Sequence, residues 1–332
     1  MIDKPYLLFL ADAQELSTAK TASGIAHWRP EDCVGEFAYD DCSVSTGQPR
    51  LTLAEAVAAG AKTFVLGVAN SGGFFERRWI ETITAALAAG LDVASGMHMR
   101  LADQPAIAAA AQRSGRRLHD VRRPPADLEV GDGRPRSGRR VLTVGTDCSV
   151  GKMFTALALE RELRARGVDA TFRATGQTGI LIAGSGIAVD AVVADFVSGA
   201  AERLAPANDA LHWDLIEGQG SLFHPSFAAV SLGLLHGAQA DRLVMCHDPA
   251  RVRMRGDVEH TLPDLRDCIR VNEALARLTN PEAVVVGIAL NTSRLSESAA
   301  GEQIRRLTDD FGMPVCDPVR TGVAGLADAV LR

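Results

Sequence analysis

Val141-Leu142-Thr143-Val144-Gly145-Thr146-Asp147-Cys148-Ser149-Val150-Gly151-Lys152-Met153-Phe154-Thr155 passes from an apolar, β-like run into a glycine-bounded loop and then into a helical pattern. The glycines let the backbone curl so that successive N–H groups face one point. The start of the helix adds partial positive charge, and Lys152 adds a full one. Such a nest holds a diphosphate. The plainer alternative is an ordinary glycine turn, and the Gly151-Lys152 pair sits where the helix must begin, which counts against it.

The loop departs from the common Walker A form in two ways. It is one residue longer between its glycines, and the position after the lysine, normally the Ser or Thr that binds Mg²⁺, is Met153. A thioether is a poor ligand for a hard cation. The residues therefore describe a site that holds phosphates but lacks a standard part for metal-assisted transfer of a γ-phosphoryl group.

At 332 residues, 47% hydrophobic and 23% charged, the chain is long enough for two domains with separate cores. Its formal net charge of −6 gives no electrostatic reason to expect nucleic acid or an anionic membrane as partner, so small molecules are expected instead. A homo-oligomer stays open. Cys33, Cys42, Cys148, Cys246, Cys268 and Cys316 form no CxxC and no Cys/His cluster, so neither a metal site nor a disulfide framework is expected, and the compartment reads as reducing cytoplasm. The apolar run Tyr6 to Leu10 is too short for a signal-peptide core, and no later run approaches membrane-spanning length.

Upstream of the loop, strand-like runs at Tyr6 to Asp12, Val34 to Tyr39, Thr63 to Val68, Leu91 to Ser95 and Arg117 to Val121 alternate with helix-like segments, among them Ser17 to His27 and Glu76 to Ala89. Five strands with intervening helices predict a Rossmann-like parallel sheet over residues 1–127. The turn Asn70-Ser71-Gly72-Gly73 lacks the dinucleotide fingerprint and reads as a turn. Residues 128–139, rich in Pro, Gly and Arg, are expected to be a linker with solvated arginines; Arg139 and Arg140 reaching a bound phosphate is the alternative. Residues 140–332 then form a P-loop NTPase-like α/β domain, so the fold class is α/β throughout.

Ligands of parallel α/β sheets sit beyond the carboxyl ends of the strands. Gly145 to Lys152, Thr175 to Gly179, Glu217 to Ser221, His247-Asp248 and Asn291-Thr292-Ser293 all follow strand-like runs and are expected to converge. Glu217 is either an acid that binds Mg²⁺ or takes a proton, or a carboxylate capping its turn. Asp190 and Asp195 are either a paired acid site or cap residues. His224 and His236 read as structural histidines, and His224 gains as a candidate base from following the Glu217 turn. Arg251, Arg253 and Arg255 alternate, as a carboxylate clamp or a solvated loop would. The N–H groups around Cys148 are expected to lower its thiol pKa, which makes an acyl-cysteine route conceivable beside a packing role.

The loop together with Glu217-Gly218-Gln219-Gly220 resembles dethiobiotin synthetase and its P-loop relatives, a local similarity. Over nearly the whole chain the sequence is similar to a bacterial family first catalogued as of unknown function and then associated with D-glutamate N-acetyltransferase. The residues that carry this are Asp147 to Met153, Ala174 to Gly184, Asp190 to Asp195, Glu217 to Ser221, Ser95-Gly96-Met97-His98 and Asp120-Val121-Arg122. The resemblance implies acetyl-CoA as donor, D-glutamate or a similar amino acid as acceptor, and an enolase-superfamily racemase as metabolic neighbour. Met153 then ceases to be an anomaly, because coenzyme A carries a diphosphate but no γ-phosphate. Gly145, Thr146, Asp147, Cys148, Ser149, Val150, Gly151 and Lys152 would hold the donor. Glu217, Asp190 or His224 would be the base, and backbone N–H groups from Gly176 to Gly179 the oxyanion donors. Arg173, Thr175, Gln177, Arg251 and Arg253 would bind the acceptor. Two readings compete. An ATP-dependent ligase or kinase predicts Mg²⁺-dependent hydrolysis, and a non-enzymatic nucleotide switch predicts nucleotide-dependent association without product.

Overall fold

The computed structural model describes residues 1–16, 18–68, 74–256 and 259–332. The turn expected at Asn70 to Gly73 and the first residue of the Ser17 to His27 segment lie outside them. Two compact units emerge, Met1–Pro124 with Gly176–Ala188, and Pro125–Thr175 with Val189–Arg332.

In the first unit, β1 (Tyr6–Ala11), α1 (Lys20–Trp28), β2 (Cys33–Ala38), α2 (Leu53–Ala58), β3 (Thr63–Leu66), α3 (Arg77–Ala88), β4 (Asp92–Ser95), α4 (Pro105–Ser114) and β5 (Leu118–Asp120) alternate as expected. The strands form one parallel sheet in the order β2-β1-β3-β4-β5, a Rossmann-like arrangement. Strands covered on both faces read as continuous apolar runs, which is why Tyr6 to Leu10 is fully buried. Phe9 anchors the core, its ring centroid 5.1 Å from Phe64, 5.6 Å from Tyr39 and 5.8 Å from Trp79. Positive φ angles at Gly90 and Gly115, just past α3 and α4, mark the left-handed turns that end those helices.

The second unit runs through β6 (Arg139–Gly145), α5 (Lys152–Ala165) and β7 (Ala170–Arg173). The helix that follows, α6 (Gln177–Ala183), groups with the first unit, where the Thr178 and Thr21 hydroxyls lie 3.1 Å apart. The contiguous division expected from the sequence placed this helix in the second domain. The second unit continues with α7 (Val197–Leu204), β8 (Trp213–Ile216), α8 (Ala228–Ala238), β9 (Arg242–His247), α9 (Leu265–Ala276), β10 (Val284–Leu290), α10 (Glu297–Phe311), β11 (Val315–Cys316) and α11 (Ala324–Leu331). Its parallel sheet has the order β11-β10-β9-β6-β8-β7. From β6 the chain passes first to the edge strand β7, returns to insert β8 between β6 and β7, and then adds β9, β10 and β11 on the other side. The topological switch point therefore lies between β6 and β9, where a ligand crevice is expected.

The segment before β6 is not a solvated tether. Arg136 donates through Nη2 to the carbonyls of Gly237 (2.7 Å) and Ala238 (3.2 Å), and Glu202 accepts from the amides of Asp132 and Gly133, both at 3.0 Å. Arg140 is buried, and its Nη2 donates to the carbonyl of Arg136 at 2.6 Å. Burial pushes both guanidinium pKa values down. Arg140 does not reach the phosphate loop, because it stands near the opposite end of β6, about 17 Å of extended chain away. No helix among the described residues is long and apolar enough to cross a membrane.

Candidate functional site

The loop leaving β6 turns through Ser149 (φ +54°) and Gly151 (φ +104°) into α5, and this left-handed backbone is the curl that the glycine pattern predicted. Lys152 is buried and its Nζ donates to the carbonyl of Asp147 at 2.7 Å. Burial lowers its pKa, opposed by the nearby Cys246, Cys148, Asp147 and Glu217.

Side chains from neighbouring strand ends lock this loop in place. Thr143, a hydroxyl inside the apolar β6, accepts from the amide of Gly218 at 2.9 Å. Thr146 contacts Nδ1 of His247 at 3.1 Å, and Ser221 donates to the carbonyl of Thr146, also at 3.1 Å. Burial pulls the His247 pKa down to about 4, so its imidazole is neutral near pH 7. The Asp147 carboxylate is fully buried. Its Oδ1 accepts from the Cys148 amide at 2.7 Å, and its Oδ2 from Arg251 Nη1 and the Arg255 amide, each at 2.7 Å. Arg251 also donates to the carbonyls of Cys148 (2.6 Å) and Ser149 (3.2 Å), and the Arg255 side chain bonds the Ser149 hydroxyl. The segment after β9 thus straps the phosphate loop across the switch point.

Glu217, just past the end of β8, is buried, with Oε2 accepting from the amide of Thr175 at 3.0 Å, while the Thr175 hydroxyl donates to the Glu217 carbonyl at 2.7 Å. Its charge is felt at Lys152 on the phosphate loop. Close packing requires Gly218: a Cβ there would stand 1.6 Å from the Thr143 carbonyl oxygen and 2.9 Å from Lys152 Cδ. Gly218→Ala is expected to destabilise the protein by about 3 kcal/mol or more. Denaturant unfolding checks this, and a variant within about 0.5 kcal/mol of wild type would refute the tight fit.

The other candidates fall in different places. His224 donates from Nε2 to the Arg255 carbonyl at 2.9 Å and accepts at Nδ1 from the Ser226 amide at 3.2 Å, so both ring nitrogens are engaged. Asp190 and Asp195 are exposed on two short 3₁₀ turns, Val189–Ala191 and Ala194–Phe196. The first of these is tied to Thr175 through the Val189 amide at 3.0 Å. Arg173 pairs with the buried Asp214 at 2.6 Å. Arg253 is exposed, in an antiparallel bridge with Thr261. Gln177 opens α6 in the first unit and accepts from Arg122 at 2.6 Å. The Cys148 thiol departs from expectation: its pKa is raised, because burial outweighs the pull of Lys152, Arg255 and Arg251. Ligand atoms of Asp147, Cys148 and His224 lie within 4.8 Å of one another, but the carboxylate and the imidazole are already committed to protein donors and acceptors.

Beside the loop opens a largely apolar cleft of about 260 Å³, lined by Val150, Gly151, Phe154, Asn291, Ser293 and Arg320 among others. Sequence reading reached Asn291 and Ser293 through their strand end but gave no signal for Arg320. Nor did it mark Asp147 as the anchor of Arg251, since the two are 104 residues apart.

A parallel sheet with a glycine-bounded loop and buried lysine at its switch point defines a P-loop α/β protein, here carried in one chain with a Rossmann-like sheet. Residues 129–327 match the family model described as the DUF1611_C P-loop domain of unknown function, and residues 31–124 match the DUF1611_N Rossmann-like domain. The chain belongs to the DUF1611 family. It is 49% identical over 330 residues to a D-glutamate N-acetyltransferase of Tritonibacter scottomollicae, covering 99% of both chains. A D-glutamate N-acetyltransferase of a Pseudoalteromonas species is also 49% identical, over 322 residues and 97% of both chains. The crystal structure of a DUF1611 family protein from Anabaena variabilis superposes with a TM-score of 0.87 at 33% identity, covering 99% of both chains.

Proposed function

We propose that this chain is an N-acetyltransferase that moves the acetyl group of acetyl-CoA to the amine of D-glutamate. The observation that carries the reading is the end-to-end 49% identity to two proteins of that activity. The second unit supports it physically. Backbone N–H groups of Gly145 to Lys152 and the Lys152 ammonium would take the donor's diphosphate, and the adjoining apolar cleft would take its adenosine. Neither task needs a hydroxyl at Met153.

The acceptor amine must lose a proton as its nitrogen attacks the acetyl carbonyl carbon; the C–S bond then breaks and coenzyme A leaves as the thiol. Among the sequence candidates, Glu217 suits the base. It is a buried carboxylate next to Lys152, whereas the nitrogens of His224 are engaged and Asp190 is exposed. Arg251 is assigned to holding the loop rather than to the acceptor, given its bonds to Asp147 and two loop carbonyls. The same reading puts the enzyme in the cytoplasm, with an enolase-superfamily racemase supplying the D-enantiomer.

The test is mass spectrometry of reactions with acetyl-CoA and a panel of D- and L-amino acids, run with and without excess EDTA. N-acetyl-D-glutamate is expected in both conditions, as is binding of coenzyme A that survives chelation. Turnover of ATP with no acetylated amino acid would overturn the reading in favour of a ligase or kinase.

A further inference from the structure

Two of the residues lining the cleft beside the phosphate loop carry formal charge, Asp317 and Arg320. Asp317 is buried and its acceptors are spent on its own turn and on the turn after β10. Oδ1 takes the amides of Val319 (2.8 Å) and Arg320 (3.0 Å), and Oδ2 takes the amide of Thr292 (3.1 Å) and the Thr292 hydroxyl. Arg320 differs in kind. Its Nη2 donates to the carbonyls of Leu295 (2.9 Å) and Thr292 (3.4 Å), which hold the guanidinium without cancelling its charge. Its remaining N–H groups have no partner among the described residues. The side chain is exposed on the cleft with Ser293, also exposed, on the same lining. An apolar cleft has no packing need for a guanidinium pinned at its wall, and a fixed planar donor of this kind suits a phosphate.

We propose that Arg320, assisted by the Ser293 hydroxyl, binds the 3′-phosphate on the ribose of the acetyl donor and so makes the cleft select coenzyme A over ATP. This rests on the acetyl-CoA reading above. A diphosphate in the loop and an adenine in the cleft leave the ribose between them. Coenzyme A carries a phosphate on the ribose 3′-oxygen, and ATP and 3′-dephospho-coenzyme A do not. Lys152 and the loop amides serve the diphosphate that all three share and cannot tell them apart. Discrimination needs a cation on the cleft side, and among the described residues Arg320 is the one that lines it.

Calorimetric titration of the full chain with coenzyme A and with 3′-dephospho-coenzyme A tests this. Wild type is expected to prefer coenzyme A by about 10- to 100-fold, the usual worth of hydrogen bonds to a charged group. Arg320→Ala should bring the coenzyme A affinity down to that of the dephospho form while leaving the latter unchanged. Arg320→Lys should keep part of the preference. Equal weakening of both ligands in Arg320→Ala, with the preference intact, would give Arg320 a structural role only and overturn the proposal. Wild-type protein that binds both forms equally would overturn it too, and would leave the donor reading standing. Wild-type protein that binds neither would overturn the donor reading and this assignment with it.

Discussion

Glu217→Gln is expected to lower kcat by about two orders of magnitude while leaving the fold intact, in line with the usual contribution of a positioned acid or base. The amide oxygen of glutamine can still accept from the Thr175 amide, so the tie between β7 and β8 made by Oε2 survives, as does the separate bond from the Thr175 hydroxyl to the backbone of residue 217. What disappears is the carboxylate able to take a proton from the acceptor ammonium. A change confined to kcat, with the melting profile and the coenzyme A affinity close to wild type, is the signature of that role. An unchanged kcat in a folded variant would confine Glu217 to holding Thr175, the capping role that its sequence context equally allowed.

Removing the carboxylate at the heart of the loop should act through stability instead. Asp147→Ala is expected to cost about 3–5 kcal/mol, the range for breaking one side of a buried ion pair. The change strands the Arg251 guanidinium against two carbonyls and leaves the amides of Cys148 and Arg255 without their acceptor. Asp248, 3.5 Å from Arg251 but paired more closely with Arg294 at 2.7 Å, offers only partial compensation. Loosening of the strap should also weaken coenzyme A binding, since the loop amides would no longer be held in one orientation. Denaturant unfolding and calorimetry on the same variant check both effects. A loss below about 1 kcal/mol with unchanged binding would show that the loop keeps its shape without Asp147.

Local chemistry made much of this legible from the chain alone. Apolar runs ending in small and polar residues are what buried parallel strands with ligand-bearing loops require, so the β/α alternation, the phosphate loop and the grouping of Glu217 with Thr175 could be read before any coordinates. Gly151-Lys152 followed by Met153 raised the decisive chemical question, phosphate without a standard metal ligand, in three consecutive residues. The helices α7 and α9 were not foreseen. The α9 segment carries no glycine or lysine landmark, and α7 lies in a stretch where two acids drew attention to chemistry rather than to packing.

Tertiary structure decided whatever depends on residues distant in sequence or on the balance between burial and charge. The strand order that puts β9 beside β6 brings Arg251 onto Asp147, a pairing no local pattern encodes. The same order sets the turn carrying Arg320 against the cleft beside the loop. Arg136 and Arg140 look like solvated linker residues because arginine usually is solvated, yet free backbone carbonyls at the end of α8 and in the turn before β6 gave their guanidinium groups partners away from water. Cys148 reversed its expected shift for a related reason. Partial charges of nearby amides and cations are legible from sequence, whereas the desolvation that outweighs them exists only once the folded chain buries the thiol.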